Sequence, residues 1–267
     1  MKPYIGITGI EDSSQLKRIL TTYSQKGDIS KLLMIGGLVS YKTLINVKDK
    51  PMVLMKNEIK SIFDGLEKQD SKDIFFTLHY FTKPLRDVKE ELKEKSGNIV
   101  NKTLYQQLTM LLDGLYEKYE STQPNFQIGV QINVSWPNPE DINNLRVRYP
   151  KLKTILQVSD FSSLEERIGK YDVDYTLIDT SRGKGIEFEM DEAIKVYETI
   201  KRHNPAMIGF AGGFSPENVR NRVCSLIERL GTKDFCIDAQ GKLRSGEYLD
   251  MIKVERYLKE AIEAFKA

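Results

Sequence analysis

Gly209-Phe210-Ala211-Gly212-Gly213-Phe214-Ser215-Pro216-Glu217-Asn218-Val219 contains a whole strand-to-helix junction. An apolar run reaches two glycines, and Ser215 with Pro216 then supplies the N-cap and N1 chemistry that opens a helix, predicted over Ser215–Leu230. Backbone N–H groups at Gly212, Gly213 and the helix start would form an anion cup, because glycine permits close approach and the helix dipole favours negative charge. The expected occupant is a phosphate.

Outward from this βα unit the same order repeats along nearly the whole chain. Strands are predicted at Tyr4–Thr8, Lys31–Val39, Ile74–Tyr80, Gln127–Val134, Thr154–Val158, Tyr175–Asp179, Met207–Ala211 and Phe235–Asp238. Between them lie amphipathic segments such as Ser13–Ser24, Met190–Arg202 and Lys253–Phe265, whose apolar residues recur three or four apart. Eight alternating units predict an α/β protein built as a closed (β/α)8 TIM barrel, in one domain over residues 1–267. An open doubly wound sheet is the competing architecture. Its dinucleotide fingerprint is missing, since Gly6-Ile7-Thr8-Gly9-Ile10 follows the first strand in place of GxGxxG. The stretch 81–125 is too long for one crossover. Its stripe of Leu104, Leu108, Leu111, Leu112 and Leu115 predicts an inserted helical pair after the third strand, either a lid, an oligomer contact or an extra outer helix.

The chain has 267 residues, 40 Lys+Arg against 38 Asp+Glu and 40% hydrophobic residues, which suits a substantial core. A net charge of +2 gives no bulk attraction for nucleic acid or an anionic membrane, so neither is an expected partner. The apolar stretch Leu32 to Val39 is far short of the roughly 20 residues of a membrane span. The N-terminus lacks the apolar region of a secretory signal and reaches Glu11 and Asp12 early. Cys224 and Cys236, with no CxxC spacing, suit a reducing cytoplasm. With His79 and His203 the only histidines, no zinc site and no cofactor are expected.

Alternate side chains of a barrel strand face the interior. In Ile128-Gly129-Val130-Gln131-Ile132-Asn133-Val134-Ser135 the apolar set meets the helices, which points Gln131, Asn133 and Ser135 inward, toward the mouth. Asp179 ends the sixth strand where it opens into a loop. There it serves either acid–base chemistry, with a pKa raised by burial, or a turn. Gly241, beyond Asp238 at the end of the eighth strand, would complete the phosphate cup. Arg182, in the basic loop Thr180-Ser181-Arg182-Gly183-Lys184-Gly185, would fold over an anionic ligand. His79 ends the third strand as a proton-transfer group or a packed histidine, and His203 reads as a helix C-terminal cap.

These residues resemble phosphoribosylanthranilate isomerase, a tryptophan-pathway barrel enzyme. The resemblance rests on Gly6-Ile7-Thr8, Val130-Gln131-Ile132, Leu177-Ile178-Asp179-Thr180, Ala211 to Val219, and Ile237-Asp238, and it covers most of the chain outside the insertion. It implies an Amadori-type rearrangement of a phosphoribosylated amine, with Asp179 as general acid and Gln131, Asn133 and Asp238 orienting the ligand. The family's general base is a cysteine just before Gly-Ile-Thr. Here Ile5 stands in that place, and losing a general base costs about 10²–10⁴-fold. Pro3 replaces the family's lysine, and Lys42 would substitute in part for a basic pair after the second strand. Cys236 sits one inward step below Asp238, deeper than a replacement base should be, and His79 is better placed.

Two functions are therefore expected at the same site: isomerisation of a phosphorylated sugar-like molecule, or silent sensing of one. The oligomeric state is left open.

Overall fold

The computed structural model describes residues 1–27, 29–69, 72–82, 87–181 and 189–267. Eight parallel strands close into a barrel in sequence order: β1 (Tyr4–Thr8), β2 (Leu32–Ser40), β3 (Ile74–Phe81), β4 (Gln127–Asn133), β5 (Lys153–Val158), β6 (Tyr175–Asp179), β7 (Met207–Ala211) and β8 (Cys236–Ala239). Each strand falls within a few residues of its predicted place. Pairing of β1 with β8, Gly6 opposite Asp238, closes the ring.

Strand alternation divides the core in two. Outward residues such as Ile5, Ile7, Leu33, Phe76, Val130 and Ile237 pack against the helices in one continuous apolar layer. Inward residues of the strands' first halves, including Tyr4, Met34, Phe75, Ile155, Tyr175, Leu177 and Cys236, form a separate plug inside the barrel. Tyr4, Phe75 and Tyr175 lie with ring centroids 5.3–5.9 Å apart and seal its lower end. Fully burying each large apolar side chain contributes about 1.5–3 kcal/mol, so the plug is a folding element and not a channel. The glycines on the inward positions make room for it: a Cβ on Gly129 would sit 2.7 Å from the Phe75 ring.

The outer ring comprises α1 (Ser13–Tyr23), α2 (Tyr41–Leu44), α3 (Lys56–Glu67), α4 (Glu90–Val100), α5 (Leu104–Thr122), α6 (Pro139–Arg148), α7 (Leu164–Ile168), α8 (Met190–His203), α9 (Val219–Leu230) and α10 (Met251–Lys266). Asp12 caps α1, accepting from the Ser14 and Gln15 amides. A short hairpin, β9 (Arg244–Ser245) with β10 (Tyr248–Leu249), precedes α10.

Two local readings change. The helix predicted from Ser215 begins at Val219, because the Asn218 and Val219 amides both donate to the Ser215 carbonyl and close a turn first. Between β3 and β4, Leu104, Leu108, Leu111 and Leu112 of α5 are buried in the outer core. α5 is thus the crossover helix of the third unit. The surplus is α4, whose Ile99 packs with Tyr41 and Val88 in a small satellite cluster.

Candidate functional site at the barrel mouth

Above the apolar plug the inward positions turn polar. Thr8, His79, Gln131, Gln157, Asp179 and Asp238 come from six different strands, and each is buried. His79, Gln157, Asp179 and Asp238 line a pocket of about 120 Å³ at the C-terminal ends of the strands. A larger hollow of about 440 Å³ between α3 and α5 lies outside the barrel, lined by Lys56, Lys60 and Lys118 and apolar side chains. Chemistry, not size, selects the mouth.

Asp179 is held by converging donors. Its Oδ1 accepts from the Ser181 amide at 3.1 Å and the Ser181 hydroxyl at 2.6 Å, and its Oδ2 accepts from Gln157 Nε2 at 2.8 Å. That last bond orients the Gln157 amide, leaving its Oε1 to accept from Gln131 Nε2 at 3.0 Å, with His79 Nε2 at 3.1 Å. Burial lowers the His79 pKa to about 4, so its imidazole is neutral at physiological pH, and Gln131 Nε2 also lies 3.1 Å from His79 Nε2.

Asp238 sits differently. The Thr8 hydroxyl bridges its two oxygens at 3.0 and 3.1 Å. Burial pushes its pKa up to about 7, with the negative charge of Asp179 adding to the effect. The two carboxyl groups are two strands apart, and Ala211 between them is in register with both.

Gly212 and Gly213 follow Ala211 with φ of +103° and +70°, the region that favours glycine. A Cβ on Gly212 would also stand 3.2 Å from Asp179 Oδ1. The loop is fastened by Asn218, whose Oδ1 accepts from the Ser215 amide at 2.8 Å and whose Nδ2 donates to the Gly213 carbonyl at 2.9 Å.

The structure brings His79, Asp179, Asp238, Gly212, Gly213 and Gly241 to one pocket, with Gln131 directly behind it. Ser215 does not line it. Its amide is spent on Asn218 and its hydroxyl accepts from the Glu217 amide at 3.2 Å, so the helix start adds nothing to the glycine cup. Asn133 is half-buried at the end of β4, outside the lining residues. Lys42 is turned to an ion pair with Asp49. Arg182 lies outside the described residues, as do Gly183 and Gly185.

Thr8, Gln157, Ser181 and Gln240 also belong to the site, without having been given a role from sequence. Gln157 carried the signal that exposed Gln131, a polar residue at an inward position of an otherwise apolar strand. Position 5 is the other difference. Ile5 packs in the helix-facing layer, while its neighbours Tyr4 and Gly6 face inward, so no side chain at residue 5 reaches the mouth. Cys236, in the plug, has its thiol pKa pushed up to about 12 by burial.

The closed ring of eight parallel strands with this mouth is decisive for the architecture. The chain folds as a TIM barrel. TrpF from Jonesia denitrificans matches with a TM-score of 0.57 at 15% identity, over 97% of this TIM barrel and 96% of that chain. Phosphoribosyl anthranilate isomerase from Thermus thermophilus matches at 0.57 and 12%, over 96% and 97%. Pyruvate kinase from Pyrobaculum aerophilum matches almost as well, 0.56 at 10% identity, over 98% of this chain and 72% of that one. At such identities the likeness carries the fold alone. No protein-family model and no curated protein matches the sequence. Among the described residues, no helix is long and apolar enough to cross a membrane.

Proposed function

We propose that this TIM barrel binds a phosphorylated, sugar-like small molecule at its mouth and isomerises it by proton transfer, in a reaction of the Amadori type. The observation that carries this reading is the adjacency of two features: a glycine turn held open at positive φ by Asn218, and a buried carboxyl pair facing across Ala211. Gly212, Gly213 and Gly241 would take the phosphate, since backbone amides at a glycine turn form an anion-binding concavity. Asp179 and Asp238 would move protons, with Gln131, Gln157 and His79 fixing their geometry. Arg182, in the loop after β6, would supply the ligand's counter-charge. No cofactor is invoked. The free thiols of Cys224 and Cys236 suit a reducing cytoplasm.

Complementation of a strain lacking phosphoribosylanthranilate isomerase tests the enzymatic half. Growth supported by the native chain and lost in Asp179→Asn upholds isomerisation. Failure of a well-expressed native chain favours the second reading, a silent sensor of a phosphometabolite, for which the absence of a mouth-facing thiol on β1 speaks.

A further inference from the structure

The hollow of about 440 Å³ between α3 and α5 shares no residue with the mouth. Its floor is apolar, with Ile59 and Phe63 of α3 facing Leu111 and Leu115 of α5, and Met110 is exposed beside them. Gly114 keeps the α5 side open. A Cβ there would meet open space and the backbone is ordinary helix, so neither crowding nor conformation requires glycine in the middle of α5. Glycine is also the weakest helix former after proline, which makes its place on the wall of the hollow a cost to the helix itself.

Charge differs between the two ends. Toward the C-terminus of α3, Lys118 reaches across from α5 to Asp64 and Glu67, 2.9 Å from the latter, with its ammonium 4.9 Å from the Phe63 ring centroid. That end is tied and holds no spare cation. Toward the N-terminus of α3, Lys56 and Lys60 stand one turn apart, and neither has an acidic partner among the described residues. The acids of the two helices are engaged elsewhere: Glu58 with Lys48, Asp113 with Arg148, and Glu120 with Lys151. Glu117, the remaining acid of α5, does not line the hollow.

We propose that the hollow between α3 and α5 binds an amphipathic carboxylate, with its apolar chain over Phe63 and Leu111 and its carboxylate at Lys56 and Lys60. Among the described residues, the only polar side chains lining the hollow are lysines, so it offers a sugar no hydroxyl, amide or carboxylate to recognise. An apolar chain needs none of these, and a single anionic head matches two uncompensated ammonium groups. The volume lies within the range of about 300–1,000 Å³ typical of small-molecule sites. The site is separate from the mouth and independent of what the mouth binds.

Calorimetric titration of the full chain with decanoate, kept below micelle formation, tests the site, with decanol as the neutral comparison. One saturable site for decanoate is expected, with decanol weaker by about tenfold, since two exposed charge pairs are lost. Lys56→Gln with Lys60→Gln should weaken decanoate by about the same factor and leave decanol unchanged. Gly114→Leu should abolish binding of both while the melting temperature holds or rises, because leucine suits the helix and fills the hollow. Decanoate binding that survives Gly114→Leu, decanol binding as tight as decanoate, or no saturable binding would overturn the proposal. A decanoate affinity that falls as protein concentration rises, together with a dimer that Gly114→Leu disperses, would also overturn it and give the hollow to a second copy of the chain.

Discussion

Asp179 and Asp238 flank Ala211, each in strand register with it, so a methyl group is all that β7 places between two buried carboxyl groups. The smallness of residue 211 is what makes a site of the barrel mouth. Ala211→Leu would fill the gap. It should lower the affinity for a sugar phosphate such as ribose 5-phosphate at least about tenfold, and cost about 1–3 kcal/mol through overpacking, read by calorimetry and by urea unfolding.

The turn after Ala211 is equally intolerant. Gly212→Ala places a Cβ at positive φ and 3.2 Å from both Asp179 Oδ1 and Ser181 Cβ. Strain of about 1–3 kcal/mol is expected, together with displacement of the Asp179 carboxyl group. Asn218→Ala is the complementary test. It leaves φ alone and removes the two fastening hydrogen bonds, for an expected loss of about 1–3 kcal/mol and of phosphate affinity together.

His79 and Asp238 oppose one another in the pH dependence of stability. Asp238 has a folded pKa raised to about 7, so its contribution is full below its ordinary value near 3.8 and is lost as pH rises through 7. His79 has a folded pKa lowered to about 4, so its contribution is full above 6.5 and is lost as pH falls toward 4. Between about pH 4 and 6.5 the two slopes cancel, each worth about 1.4 kcal/mol per pH unit at most. Chemical denaturation across that window should therefore separate them. Relative to the native chain, His79→Gln should lose stability as pH rises, and Asp238→Asn should gain it. Parallel curves for all three proteins would contradict the buried placement of both groups.

Ile5→Cys addresses the missing base. The introduced thiol would face the helices, fully buried, so it should resist a thiol reagent in the native state and restore no proton transfer. Labelling of the folded variant should stop at the same stoichiometry as the native chain, where Cys224 is the exposed thiol.

The strand positions were legible because the barrel imposes a period of two on every strand, and Gln131, Asp179 and Asp238 broke that period visibly. Gln157 broke it too, in Thr154-Ile155-Leu156-Gln157-Val158, and the same reading would have found it. The failures share a cause. Ser215-Pro216 is a strong helix-starting pair, yet Asn218 competes for the Ser215 amide and delays the helix by one turn, a tertiary choice that local propensity does not contain. Likewise, matching Gly-Ile-Thr by order says nothing of which face residue 5 takes; register against β2 and β8 decides it. Lys42 depended on the course of a loop, and its partner Asp49 lies seven residues away.

The most direct test of a phosphate-gripping mouth is amide NMR of the native chain titrated with inorganic phosphate. The account predicts saturable shifts centred on Gly212, Gly213 and Gly241. Saturable shifts centred elsewhere, or none at these three residues, would contradict it.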